Sequence, residues 1–338
     1  MSADPLADFR ALIDIYETGI VWHCVCAVAR LEVPDRLADG PLPVAQLAAD
    51  TGVHSDPLLR VLRLLADHDL VTVDGDRVAL TDRGRLLCRR HPLSAWATFA
   101  SLGPSDVAHA LTDTLRTGQA AAEQVFGVPF WAHLAAHPDQ QAVFDEQMQQ
   151  QAQVLSLTCV PILDWPATGT IADIGGGLGT LLAAVLQTAP GARGILVDQP
   201  HVLDRARPFL DSQGVADRCD LRPGDLFAPP PAADMYLLAR VLHDWGDDDA
   251  IRILAAVADS AADGARLRLF EGLIPEDGSP HRTKMGDIAM MLLFGSGRER
   301  TASELRHLLQ RTGWRFDRVV ASPGVMSVIE ATRHRPSG

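Results

Sequence analysis

The sequence predicts an α/β protein in two parts: a mostly helical N-terminal region with a winged-helix-like module, then a doubly wound sheet. Three observations carry that prediction. At 338 residues the chain exceeds the usual size of a single domain. From Thr170 onward, short apolar runs alternate with helical segments, the rhythm of strands and covering helices. Before residue 90, helix, helix and hairpin follow one another between turn residues.

In chain order, apolar residues at helical spacing run from Leu12 to Val33. Leu42-Pro43-Val44-Ala45-Gln46-Leu47-Ala48 predicts a short helix with Pro43 in its first turn, where a missing N–H costs nothing. Ser55-Asp56-Pro57 predicts a second helix start, with Leu58, Leu59, Leu62, Leu65 and Ala66 as its buried stripe. Leu70-Val71-Thr72-Val73 and Val78-Ala79-Leu80 flank Asp74-Gly75-Asp76, which closes as a hairpin. The expected boundaries are an N-terminal domain over 1–95, connecting helices that also line a ligand cavity over 96–165, and a C-terminal domain over 166–338. In the last, strands are predicted at Ile171–Ile174, Ile195–Asp198, Asp234–Ala239 and Arg266–Phe270. Helices are predicted at Leu181–Leu186 and around 202–213 and 248–261. Such a Rossmann-like sheet binds its ligand beyond the carboxyl ends of the strands.

Composition narrows the partners. The net charge is −13 and the pI about 5.3, whereas nucleic-acid binding needs a concentrated basic face. The would-be recognition helix, Asp56 to His68, offers only Arg60 and Arg63 as strong cations, so no nucleic-acid partner is expected. Cys24, Cys26, Cys88, Cys159 and Cys219 are odd in number and irregularly spaced, which fits reduced thiols in a cytoplasmic protein. No secretory leader is read at the N-terminus, and no stretch is read as reaching the roughly 20 apolar residues that cross a bilayer. No metal is expected, since the chain has no HExxH and no cysteine–histidine cluster.

Asp173-Ile174-Gly175-Gly176-Gly177-Leu178-Gly179 joins a predicted strand to a predicted helix. Glycine there lets the backbone turn sharply and approach a ligand without a Cβ in the way. Asp198 closes the next strand, 19 residues beyond Gly179, where a carboxylate accepts hydrogen bonds from ribose hydroxyls. A dinucleotide is the competing ligand. Its fingerprint needs a third glycine, and the chain has Leu182 or Thr180 at the two candidate places. Phosphate binding of the Walker type fails because no Gly-Lys-Ser/Thr follows.

With these residues in view, the chain resembles the bacterial and plant S-adenosylmethionine-dependent O-methyltransferases of small-molecule metabolism. Five blocks carry the resemblance in order over nearly the whole length: Asp173 to Gly179, Val197-Asp198-Gln199-Pro200, Gly224-Asp225-Leu226-Phe227, Leu242-His243-Asp244-Trp245, and Gly297-Arg298-Glu299-Arg300-Thr301. The resemblance implies a methyltransferase sheet, S-adenosylmethionine as methyl donor, a small aromatic substrate and a homodimer formed through the N-terminal domain. It also implies that Gly175 and Gly177 shape the donor pocket, Asp198 binds its ribose, and Asp225 and Leu226 meet the adenine side. Arg240 stands where family members commonly have lysine, keeping the charge but changing its reach. Trp245 is expected against adenine.

By the same resemblance His243 is the general base, because neutral imidazole accepts a proton near physiological pH. Glu271 and Glu299 flank it, with Glu271, at a strand end, expected to orient the ring. Asp287, Met290, Met291 and Phe294 lie at helical spacing and are expected to form a substrate wall, with Trp131 and Met148 adding the other side. Other reactions known on this scaffold are N-methylation, hydroxylation and cyclisation. The intact base with its two glutamates points instead to methylation of a hydroxyl.

Overall fold

The computed structural model describes residues 4–101 and 103–334. The chain forms two compact units, Met1–Leu102 with Pro138–Gln150, and Gly103–His137 with Gln151–Gly338. The segment expected to connect two domains is thus shared between them.

The first unit opens with α1 (Pro5–Arg30), begun by Asp4, whose carboxylate accepts the N–H groups of Leu6 and Ala7. Its C-terminal part buries Val25, Cys26, Val28 and Ala29. The N-terminal part exposes Leu6, Phe9, Ile13, Tyr16 and Ile20, spaced alternately three and four residues apart along one stripe. An 18-residue window of α1 has a mean hydropathy of 1.4, so by length and composition this helix could cross a bilayer. That corrects the expectation that no such stretch exists: scattered charged residues interrupt the apolar run without lowering its mean enough. β1 (Leu42–Pro43), α2 (Val44–Thr51), α3 (Ser55–Asp67), β2 (Val71–Asp74) and β3 (Arg77–Leu80) complete the winged-helix-like pattern, in a three-stranded sheet ordered β1-β3-β2. Pro43 pairs with Arg77 in β1 and precedes α2, one place earlier than expected, and its extended backbone (ψ 139°) suits the strand. Leu47, Leu58, Leu62, Leu65, Val71 and Val78 pack into one cluster. Burying such a side chain stabilises by about 1.5–3 kcal/mol.

The second unit is built on a seven-stranded sheet. Its strands are β4 (Thr168–Ile174), β5 (Gly191–Asp198), β6 (Cys219–Pro223), β7 (Met235–Ala239), β8 (Arg266–Gly272), β9 (Trp314–Ala321) and β10 (Met326–Arg333). The order is β6-β5-β4-β7-β8-β10-β9, parallel from β6 to β8, with β10 antiparallel to both neighbours. Parallel strands covered on both faces read as continuous apolar runs, and Met235-Tyr236-Leu237-Leu238 is buried throughout. Alternate residues serve opposite faces. Ile171, Met235 and Leu237 pack with α4 (Thr180–Thr188) and α5 (Pro200–Ser212). Ala172, Tyr236 and Leu238 pack with α6 (Asp247–Ser260) and α8 (Ala302–Arg311) on the other side. Between these two helices in the chain comes α7 (Thr283–Phe294).

The four predicted strands are present, and β5 starts earlier than expected, at Gly191. Its glycines obscured it, yet they are required there. A Cβ on Gly194 would lie 2.9 Å from Leu186 Cδ1 and 3.0 Å from Leu182 Cδ2. β6, β9 and β10 were not foreseen.

Candidate active site

Chain reversal around β4 sends β5 and β6 to one side and β7 and β8 to the other. The crevice opens at the carboxyl ends of these strands. At their ends, across the sheet from β6 to β8, stand Asp225, Asp198, the glycine loop, Arg240 to His243, and Glu271.

In the loop after β4, Gly175 and Gly177 take φ of 68° and 60°, the left-handed region that glycine enters without strain. The N–H of Gly175 donates to Val197 O at 2.8 Å, and that of Gly177 to Asp198 Oδ2 at 2.8 Å. Gly176 is demanded by packing, since a Cβ there would lie 2.5 Å from both Asp173 Oδ2 and Leu196 Cδ1. Gly177 faces open space, with nothing within 4 Å of a Cβ built on it. Asp198 also accepts the N–H of Gln199 at 2.7 Å, so the carboxylate is already oriented at the strand end. Asp225 accepts the N–H of Phe227 at 3.0 Å, and Leu226 packs toward Gly175. Trp245 meets Phe227 edge to face, ring centroids 5.0 Å apart. Arg240 has φ of 56°, a strained value for a side chain of this size, and its buried Nε has no hydrogen-bond partner. Buried Asp173 carries a carboxyl pushed up to about 7, by burial first and then by the charge of Asp198.

On the other side of the crevice, His243 is held by the short turn Leu242–Asp244 after β7 and is 4% exposed. Its Nδ1 lies 3.1 Å from Glu299 Oε1 and 3.7 Å from Glu271 Oε2. Glu271 instead spends Oε1 on the N–H groups of Val241 and Leu242, at 3.3 and 2.9 Å. Glu299 is therefore the glutamate within hydrogen-bond distance of the ring, where the sequence pointed to Glu271. A rigid strand end placed Glu271 well, but aimed it at the backbone of the turn. Arg300, one of the two arginines beside Glu299 in the chain, pairs with Asp247 instead. Nε2 lies 3.4 Å from Asp244 Oδ1. Burial pulls the His243 pKa down, but Glu271, the Glu299 hydrogen bond and Asp244 together outweigh it and raise it to about 9. Burial pushes Glu271 up to about 7, against the pull of His243. One donor atom each from His243, Glu271 and Glu299 lie within 4.8 Å of one another, a set that by type would also suit a divalent cation. The positive charge of Arg240 interacts with both glutamates and opposes one.

Of the expected substrate wall, Trp131 stacks on Phe294 with centroids 5.4 Å apart, and Phe130 meets Phe294 edge to face. Met290 is buried and Met291 half-buried on the same helix α7. Asp287 Oδ1 accepts the backbone N–H of Glu299 at 3.0 Å, so it supports the orienting carboxylate. Met148 lies in the other unit. The sequence reading named neither Gly176, visible only as one glycine in a run, nor Arg300 as a site residue. Arg300 sits in the matching block beside Glu299, and that adjacency was the available signal.

A buried histidine ringed by carboxylates thus stands at the same crevice as a glycine loop and an oriented Asp198, and similarity to known families places the protein in the methyltransferase class. Its residues 108–315 match the O-methyltransferase domain family, and residues 15–90 match the O-methyltransferase dimerisation domain. It is 35% identical over 319 residues to the phenazine O-methyltransferase PhzM of Lysobacter antibioticus, covering 92% of each chain. It is 34% identical over 327 residues to the mitomycin biosynthesis 6-O-methyltransferase of Streptomyces lavendulae, covering 95% of this chain and 93% of the relative. Among solved structures, it resembles the O-methyltransferase NcsB1 from neocarzinostatin biosynthesis, in complex with S-adenosylmethionine and 2-hydroxy-5-methyl naphthoic acid. That likeness has a TM-score of 0.79 at 30% identity, covering 92% of this chain and 95% of that one. The chain belongs to this O-methyltransferase family and is an S-adenosylmethionine-dependent enzyme of small-molecule methylation.

Proposed function

We propose that this chain methylates a phenolic hydroxyl of a small aromatic compound, with His243 as the general base. The observation that carries the reading is the geometry of His243: Nδ1 is engaged by Glu299 at 3.1 Å, so Nε2, with Asp244 Oδ1 3.4 Å away, is the nitrogen that meets the acceptor. A phenol, with a reference pKa near 10, is a poor nucleophile until its proton leaves. His243 takes that proton, and the carboxylates around it favour the imidazolium that forms.

The pocket opposite fits the methyl donor. The open space over Gly177 is a cradle that any side chain would fill, the fixed carboxylate of Asp198 is disposed for two ribose hydroxyls, and the free Nε of Arg240 is disposed for a carboxylate. When bound, S-adenosylmethionine supplies a methyl group on an electrophilic sulfonium. The protein's own work is to align the hydroxyl, exclude water and hold the proton at His243 Nε2.

The pH dependence follows from the raised pKa of His243. A base must be neutral, and imidazole held near 9 is largely protonated at pH 7. The free enzyme governs kcat/KM. So kcat/KM rises as pH increases through the range 7 to 9, and steady-state rates across that range check it. A flat profile there contradicts the assignment.

The exposed stripe of α1 is covered, on this reading, by a second copy of the chain. The dimerisation-domain match includes Tyr16 and Ile20 of that stripe. Replacing Tyr16 and Ile20 together by glutamate is expected to yield monomers in analytical ultracentrifugation, because two charges cannot be buried in an apolar interface without partners. A double variant that sediments with the wild type excludes this interface.

A further inference from the structure

Four successive residues, Gly297 to Arg300, pack along the turn that carries His243. A Cβ on Gly297 would lie 3.0 Å from the carbonyl oxygens of both His243 and Asp244, a tight fit that glycine relieves. The N–H of Arg298 donates to His243 O at 2.7 Å. Glu299 meets the imidazole at 3.1 Å. Arg300 then spans the turn from both sides. Its Nη1 donates to Leu242 O at 2.9 Å, its Nη2 to Trp245 O at 2.8 Å and its Nε to Asp247 Oδ1 at 3.0 Å. The residue is only 3% exposed.

Within the turn Leu242 O already accepts the N–H of Trp245 at 3.2 Å, Arg300 adds a donor there and one to Trp245 O beyond it, and a buried guanidinium is costly unless its donors are used. The planar fork matters: it reaches carbonyls on both sides of His243 at once, which the point charge of a lysine on its flexible stem cannot do. Arg300 is also tied to the sheet, since its own carbonyl accepts the N–H of Ile274 at 3.0 Å, just beyond β8.

We infer that Arg300 is a positioning residue for methyl transfer, locking the backbone on either side of His243 so that Nδ1 stays on Glu299 and Nε2 stays turned to the acceptor. The inference rests on the reading of His243 as the base. It acts through His243 and predicts a loss of turnover without a matching loss of donor-site affinity, because misplacing a reacting group by about 1 Å costs about a hundredfold.

The test compares Arg300→Lys, Arg300→Met, Asp247→Asn and His243→Ala in the full-length protein. Four quantities are read: kcat, acceptor KM, the Kd of S-adenosylhomocysteine by calorimetry, and the pH profile of kcat. Arg300→Lys should lose about tenfold or more in kcat while S-adenosylhomocysteine affinity changes by less than about threefold. Its acidic limb should move to lower pH, because an imidazole released from Glu299 loses a contact that favours its charged form. Arg300→Met should fall further, so that lysine gives partial rescue. If the methionine variant does not fold, Arg300→Lys and Asp247→Asn carry the test, the latter moving kcat in the same direction by a smaller factor.

An Arg300→Lys enzyme with wild-type kcat and pH profile overturns the inference. So does a kcat loss matched by an equal loss of S-adenosylhomocysteine affinity. His243→Ala separates the two claims. If it is inactive while Arg300→Lys is unaffected, positioning by Arg300 alone has failed. If it retains normal turnover, the base assignment has failed.

Discussion

Replacing His243 by alanine is expected to lower kcat by about 10²–10⁴-fold, the range that a positioned general base contributes. The loss should fall on turnover and spare the donor pocket. Gly175, Gly177 and Asp198 stand at the ends of β4 and β5, while His243 follows β7. S-adenosylhomocysteine should therefore bind the variant with nearly wild-type affinity in calorimetry. The substitution also leaves Glu299 and Glu271 buried at 6% and 2% exposure without the imidazole, with Arg240 as the remaining cation near them. Protonation of Glu271, which burial already pushes up to about 7, is the expected relief, and it makes some change in thermal stability a companion of the kinetic loss. Turnover within a few-fold of the wild type would remove His243 from the mechanism.

Asp198→Ala is expected to have the second-largest effect, on the donor side. Hydrogen bonds to a charged group contribute about 1.5–3 kcal/mol each. Losing two to the ribose should weaken S-adenosylmethionine binding by about 10²–10⁴-fold. The same carboxylate also accepts the N–H groups of Gly177 and Gln199, so its loss frees the loop that forms the cradle. Asp198→Asn separates these contributions, since the amide oxygen can still accept from Gly177 but the charge is gone. Calorimetric titration of both variants with S-adenosylhomocysteine measures the difference. Unchanged affinity in Asp198→Ala would place the ribose elsewhere.

The elements that the sequence disclosed are those whose pattern has a single physical cause. Met235-Tyr236-Leu237-Leu238 is buried on both faces of a parallel sheet, and a continuous apolar run is what such burial requires. The hairpin of β2 and β3 was legible from the turn at Gly75, with φ of 62°. β9 was not, because it lies at the sheet edge, where only Trp314 of its eight residues is buried and no alternation survives. β10 is further masked by a shift of register between Glu330 and Ala331.

The site was legible to the level of residue type and less so to the level of partner. The matching blocks held His243 and Glu299 and the end of the fourth strand held Glu271, but one-dimensional spacing could not say which carboxylate reaches the ring. That choice depended on how the amides of Val241 and Leu242 captured Glu271. Asp287 shows the same limit. Its helical spacing with Met290 and Phe294 pointed to the substrate wall, while the fold turns one of its oxygens to the backbone of Glu299. Met148 has the apolar character of a pocket residue, but composition alone does not say to which body of the protein a helix residue belongs.

The proposed chemistry requires one spatial relation, an acceptor hydroxyl at Nε2 of His243. A crystal structure of the protein with S-adenosylhomocysteine and a phenolic acceptor measures it directly. The acceptor oxygen should lie about 2.6–3.2 Å from His243 Nε2, on the side away from Glu299. An acceptor seated with its hydroxyl out of reach of that nitrogen, or with a ring nitrogen in its place, would contradict the account.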